Sequence, residues 1–152
     1  MIVVPMIRNS ENATPLKPAE PRYFNRELSW LAFNERVLDQ AFSEKYPLLE
    51  RTRFLSFVSS NLDQFYEIRV AGLMQKVDGG ITRRSLDGSS PEDLLHEVRK
   101  RAHSMSHREY ECWRNHLQPE LAKNSIRFKP IEKLTKEEFL WVRAYFRREV
   151  YP

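Results

Sequence analysis

An all-α fold, an antiparallel bundle of about four helices, is what this sequence predicts, and three observations carry the prediction. Glycine is scarce, with 4 among 152 residues, while apolar residues make up 41% and charged residues 30%, the balance of an ordinary helical protein rather than a disordered or β-rich one. Apolar residues recur at helical spacing over several long stretches. Helix-start chemistry stands where those stretches begin: Asn25, Ser90-Pro91-Glu92-Asp93 and Thr135-Lys136-Glu137-Glu138.

The elements follow in order. Residues 1–21 read as a disordered arm, because Pro5, Pro15, Pro18 and Pro21 fall among Ser, Asn, Glu and Lys with no apolar period. Order begins near Tyr23, and residues 22–152 form the helical domain. The first helix runs from Arg26 to about Ser43, capped by Asn25, with Glu27 in its first turn, where the dipole favours an acid. Leu28, Trp30, Leu31, Phe33, Val37, Leu38 and Phe42 give it a broad apolar face, with Arg36 and Asp39 toward water. Tyr46-Pro47 closes it and opens the next element, from about Leu48 to Val77. Leu55, Val58, Leu62, Phe65, Gly72, Leu73 and Val77 fall near one stripe, broadened by Leu48, Leu49, Phe54, Phe57 and Ile68. Ser59-Ser60-Asn61 interrupt it with poor helix formers that compete for backbone hydrogen bonds, so a bend or break is expected there. Asp78-Gly79-Gly80 ends the segment, and residues 79–90 have the composition of a mobile loop. A third helix starts at Ser90-Pro91 and reaches His116, or Lys123 with a kink near Pro119, on the stripe Leu94, Leu95, Val98, Ala102, Met105, Trp113 and Leu117. Residues 126–131 read as extended, and the capping box at Thr135 opens a last helix from Lys136 to about Val150. The ending at Tyr151-Pro152, without a polar fade, has the look of a cut inside a larger protein.

Composition also bounds function. A net charge of +4 is mild and fits a phosphate-bearing partner no better than a solvated surface. The lone Cys112 excludes an internal disulfide and points to a reducing compartment. No run approaches the roughly 18 apolar residues a membrane span needs, and the opening Met1 to Met6 is too short and proline-broken for a signal peptide. The expected location is therefore cytoplasmic, either free or peripheral to the membrane.

The motif search excludes several chemistries. His103 and His107 share a helix face, as zinc ligands must, but lack an intervening glutamate and a third ligand. Gly79-Gly80 is no phosphate loop, and no nucleophile arrangement can be read. The basic runs Arg83-Arg84, Arg99-Lys100-Arg101 and Arg147-Arg148 have no interleaved aromatics, which argues for solvated faces and against nucleic acid. No residue is assigned a catalytic or metal-ligating role. The informative stretch is Ser59-Ser60-Asn61-Leu62-Asp63-Gln64-Phe65-Tyr66-Glu67-Ile68-Arg69. Asn61 can donate and accept at once, and Asp63 and Arg69 are charged groups in an apolar pattern. Two readings stay open: a ligand contact, or a helix break in which Asn61 caps the second half. A free helix N-terminus there would itself suit an anion.

Three blocks carry a resemblance. They are Arg22-Tyr23-Phe24-Asn25-Arg26-Glu27-Leu28-Ser29-Trp30-Leu31-Ala32-Phe33-Asn34-Glu35-Arg36-Val37-Leu38, then Pro47-Leu48-Leu49-Glu50-Arg51 with Arg53-Phe54-Leu55, then Ser59-Ser60-Asn61-Leu62-Asp63-Gln64-Phe65-Tyr66 running on to Arg69-Val70-Ala71-Gly72-Leu73. In this order they resemble the opening of the bacterial polyphosphate kinases of the first type. The resemblance implies an N-terminal helical domain of an enzyme that reversibly moves the terminal phosphate of ATP onto polyphosphate. It implies a phosphohistidine in downstream domains that resemble phospholipase D, and magnesium bound outside this chain. None of the four histidines here belongs to that motif, so the chain alone is expected to be inactive. The family's domain covers the nucleotide site and contributes to subunit contacts, which implies a homo-oligomer for the full-length form. Its ATP-contacting asparagine falls on Asn61, with Asp63 and Arg69 as further candidates. Gln64 stands where the family usually has Glu. The rival expectation is a helical interaction or dimerisation module with no ligand contact.

Overall fold

The computed structural model describes residues 23–151; the arm expected over 1–21 lies outside the described residues. The architecture is all-α, with four helical rods in sequence order. The first is α1 (Arg26–Phe42). The second joins α2 (Leu48–Gln64), a π-helical segment (Phe65–Val70) and α3 (Ala71–Asp78). The third joins α4 (Pro91–Glu111), a second π segment (Cys112–Leu117) and α5 (Gln118–Lys123). The fourth is α6 (Lys136–Tyr145), ending in a π turn (Phe146–Val150).

The predicted starts form as their chemistry requires. The Asn25 side chain accepts from the N–H groups of Glu27 and Leu28. Ser90 accepts from the Asp93 N–H with Pro91 in the first turn. Thr135 and Glu138 complete a reciprocal capping box. Residues 126–130 adopt no strand and lead into a single 3-10 turn, Ile131–Lys133.

One expectation is overturned. The second rod does not break at Ser59-Ser60-Asn61; α2 runs through them, and the irregularity comes later, at Phe65–Val70. Burial outweighs weak intrinsic propensity here, since Val58 and Leu62 are buried on either side of the polar step. Asn61 therefore caps nothing, and no free helix N-terminus exists at this point.

Leu31, Leu38, Ala41, Leu55, Val58, Leu62, Phe65, Val98, Ala102 and Met105 form the shared core of the first three rods. Several side chains assigned to apolar faces point outward instead: Phe33, Leu49, Phe57 and Ile68 are exposed. The fourth rod forms as predicted but buries none of its side chains.

Three cross-pairs fix the direction of α1 against the second rod. Glu27 meets Arg69 (3.9 Å), Asn34 meets Asn61 (2.9 Å), and the Ala41 carbonyl meets Arg51 Nε (2.9 Å). One series of numbers rises as the other falls, so the rods are antiparallel. Arg51 is buried yet well placed: it satisfies a carbonyl in the last turn of α1, where the helix dipole favours a cation.

Candidate functional site

The polar step that stands out in the sequence is divided by the helix into two faces. Asn61 turns toward α1. Ser59 and Asp63 turn toward α4, where both line a cleft of about 430 Å³ with Glu109, Tyr110 and Trp113.

On the α1 face the pairing is a ladder. Asn61 pairs with Asn34, Phe65 stacks on Trp30 with ring centres 4.5 Å apart, and Arg69 pairs with Glu27. The partners on α1, Asn34 and Glu27, are seven residues apart, two turns of regular helix. Asn61 and Arg69 are eight apart. In a regular helix the eighth residue would sit about 80° off the line of the first. The π segment takes up one extra residue in two turns, so Arg69 stays above the same edge as Asn61. The π segment thus keeps two of the three predicted residues in register, while Asp63 lies on the other face.

Asn34 fixes how Asn61 is presented. Asn34 is fully buried, and its Nδ2 donates to the Val58 carbonyl at 3.2 Å and to Met105 Sδ at 3.4 Å. A carbonyl only accepts, so the amino end of Asn34 must face it and its Oδ1 must face Asn61. Asn61 Nδ2 fills that acceptor at 2.9 Å. The Asn61 Oδ1 takes no hydrogen bond from the described residues, and no buried polar atom among them is unpaired. That oxygen is therefore open to solvent or a ligand. Asn34 was missed in the sequence, although it lies on the Leu31 to Leu38 stripe.

The α4 face carries the carboxyls of Asp63 and Glu109. Glu109 is partly buried and accepts a hydrogen bond from Ser59. Burial pushes its carboxyl up, the Ser59 hydrogen bond opposes this, and the charge of Asp63 pushes it up further. A second cleft joins Asp63 to Tyr66, Arg99 and His103. All four histidines are exposed. Among the described residues no group of three His, Cys, Asp or Glu side chains converges. Cys112 is buried, and burial pushes its thiol up to about 11, which keeps it un-ionised at neutral pH and a poor nucleophile.

Beyond Arg69 the ladder opens into a large cleft, about 850 Å³, between the start of α1, the end of the second rod and the 79–90 loop. That loop, mobile by composition, is tied down by Asp87. Its carboxylate accepts from Ser85, from Ser89 Oγ at 2.7 Å and from Asn25 Nδ2 at 2.9 Å. The Ser85 hydrogen bond leads these in lowering the Asp87 carboxyl to about 2, against the opposing effect of burial. Asn25 thus caps α1 with its oxygen and holds the loop with its nitrogen.

The comparisons with known proteins bear on this arrangement. The family model described as the polyphosphate kinase N-terminal domain matches residues 23–129. The chain belongs to this family. A polyphosphate kinase of Erythrobacter litoralis is 45% identical over 148 residues, covering 97% of this chain and 20% of that protein. One of Pseudomonas aeruginosa is 45% identical over 130 residues, covering 86% and 19%. The crystal structure of polyphosphate kinase from Porphyromonas gingivalis superposes with a TM-score of 0.62 at 28% identity, covering 84% of this chain and 17% of that one. The chain spans about a fifth of the length of the polyphosphate kinases it matches. The matched family region contains the whole ladder and the large cleft, and α6 lies beyond it.

Proposed function

We propose that this domain forms the nucleotide-side wall of a polyphosphate kinase whose phosphohistidine and magnesium lie in domains outside this chain. The full-length protein moves the terminal phosphate of ATP reversibly onto polyphosphate, and this domain alone is inactive. Asn61 contacts ATP. Arg69 flanks it on the same edge, and Asp63 is left a lesser part because it faces α4. The observation that carries this reading is the clamp on Asn61: a buried Asn34 holds the amino end of its amide and leaves the carbonyl oxygen free. A phosphoryl-transfer centre gains chiefly from alignment and charge neutralisation, and a side chain held in place before the ligand arrives loses little freedom on binding. The free oxygen suits a base amino group or a ribose hydroxyl.

The test is Asn61→Ala in the full-length enzyme. Losing one hydrogen bond worth about 0.5–1.5 kcal/mol lowers kcat/KM for ATP about two- to tenfold. The substitution also leaves Asn34 Oδ1 short of a partner, so stability falls as well. A variant with a lower melting temperature but unchanged ATP kinetics sinks the proposal and leaves Asn61 a structural residue.

A second reading is an interaction or dimerisation module, with a homo-oligomeric enzyme as its setting. It is favoured by the fourth rod, where Phe139, Leu140, Trp141, Tyr145 and Phe146 are all exposed. Among the described residues no helix is long and apolar enough to cross a membrane. The cytoplasmic placement, free or peripheral to the membrane, rests on the composition and the family rather than on that fact.

A further inference from the structure

The large cleft has a charge its surroundings do not balance. Arg26, Arg69, Lys76, Arg83 and Arg84 line it, against the carboxylates of Glu27 and Asp87, which leaves a surplus of three positive charges along one groove. Glu27 is already engaged by Arg26 at 2.9 Å and Arg69 at 3.9 Å. Asp87 spends its oxygens on Ser85, Ser89 and Asn25, all neutral donors. Among the described residues Lys76 and Arg83 form no ion pair, and Arg84 donates only to the Gly88 carbonyl, at 2.7 Å. Cations gathered in a concave wall focus a field that attracts anions.

The groove is also built rather than incidental. The Asp87 anchor holds the loop that carries Arg83 and Arg84 against the capped start of α1, opposite the rod that carries Arg69 and Lys76. It is continuous with the candidate nucleotide edge. Arg26, Glu27 and Arg69 wall both this cleft and a smaller one of about 270 Å³ beside the Trp30–Phe65 stack. Arg69 lies two turns, about 11 Å, along the helix axis from Asn61.

We propose that this groove binds a strand of linked phosphates, the inorganic polyphosphate chain, as it extends away from the nucleotide held at Asn61. The identity of the strand rests on the function proposed above; the groove itself rests on its charges. Polyphosphate has no bases, so it needs cations along a channel and no stacking platform. A nucleic acid would also use the exposed rings of Tyr23 and Phe24 at the mouth of the cleft.

The experiment is a salt titration of long-chain polyphosphate binding to the full-length protein, comparing the parent with Lys76→Gln/Arg83→Gln. Both side chains lack ion-pair partners, so the variant keeps its melting temperature. Each phosphate that is no longer neutralised lowers the slope of log affinity against log salt by about 0.7 on the scale of single strands, so the double variant loses about 1.4 in slope and about tenfold in affinity at moderate salt. The single variants each show about half of that drop in slope, and Lys76→Arg retains the parent's slope. Asn61→Ala, taken through the same titration, keeps the full slope because a neutral amide releases no counterion. A loss of ATP use in that variant alone therefore separates the nucleotide reading from the groove. A folded double variant with unchanged polyphosphate affinity and slope overturns the proposal. So does single-stranded RNA that competes equally and loses affinity in Phe24→Ala, which assigns the groove to nucleic acid.

Discussion

The two faces of α2 differ in both charge and closure. Toward α1, Asn61, Phe65 and Arg69 each meet one partner, and the row leads into a cationic cleft. Toward α4, Ser59 and Asp63 face a partly buried Glu109 across a smaller cleft that carries no cation. One helix therefore presents a paired edge on one side and the carboxyls of Asp63 and Glu109 on the other. The lesson is that neighbours in a motif need not share a site. Asn61 and Asp63 are two residues apart, about 200° around the helix, and belong to different environments.

The sharpest way to break this contrast is to remove the clamp. Asn34→Ala deletes a fully buried amide that joins α1, α2 and Met105 of α4. It is expected to cost about 2–3 kcal/mol through missing hydrogen bonds and an unfilled site, read by urea denaturation. It should also lower ATP use in the folded enzyme, because Asn61 loses its orientation. Retained ATP kinetics would detach the clamp from function.

A smaller effect is expected on the other face, and it depends on pH. The folded Glu109 carboxyl sits above its ordinary value, so the native state holds that proton more tightly than the unfolded chain does. Its contribution to stability is therefore present below the unfolded value of about 4.3 and is lost as pH rises through the folded value. Glu109→Gln should flatten that part of the stability profile. A variant with the parent's pH dependence would show that burial of Glu109 has no energetic consequence.

The smallest effect belongs to the loop anchor. Asp87 is held down to about 2, with the Ser85 hydrogen bond the largest cause. Its contribution is present above the unfolded value of about 3.9 and is lost as pH falls from there toward 2. Asp87→Asn should remove that acid-limb loss, leave the core intact, and raise hydrogen exchange in residues 82–89. Unchanged exchange would mean that the loop is held by other contacts.

Much of the fold was legible because its signals are local. Asn25, Ser90-Pro91 and Thr135 announce helix starts within four residues of chain. The Leu94 to Leu117 stripe lies on the core face throughout, with Trp113 packed at its margin. The family resemblance named the right domain from three short blocks. The break expected at Ser59 to Asn61 failed because helix propensity is a weak preference, overridden when the flanking Val58 and Leu62 are buried. Asn34, Arg51 and Glu109 were missed because their roles depend on partners 10 to 50 or more residues away.

Caps, periods and motif blocks act within a turn or two, so the residues alone settled the helices, the order of the rods and the family. Which way Asn61 faces, and that Arg69 follows it while Asp63 does not, depends on how α1 is rotated against α2 and on one extra residue absorbed by the π segment. The Trp30–Phe65 stack and the Glu27–Arg69 pair meet that register from outside the helix, and contacts between residues 35 or more apart are not written in any local preference of the chain.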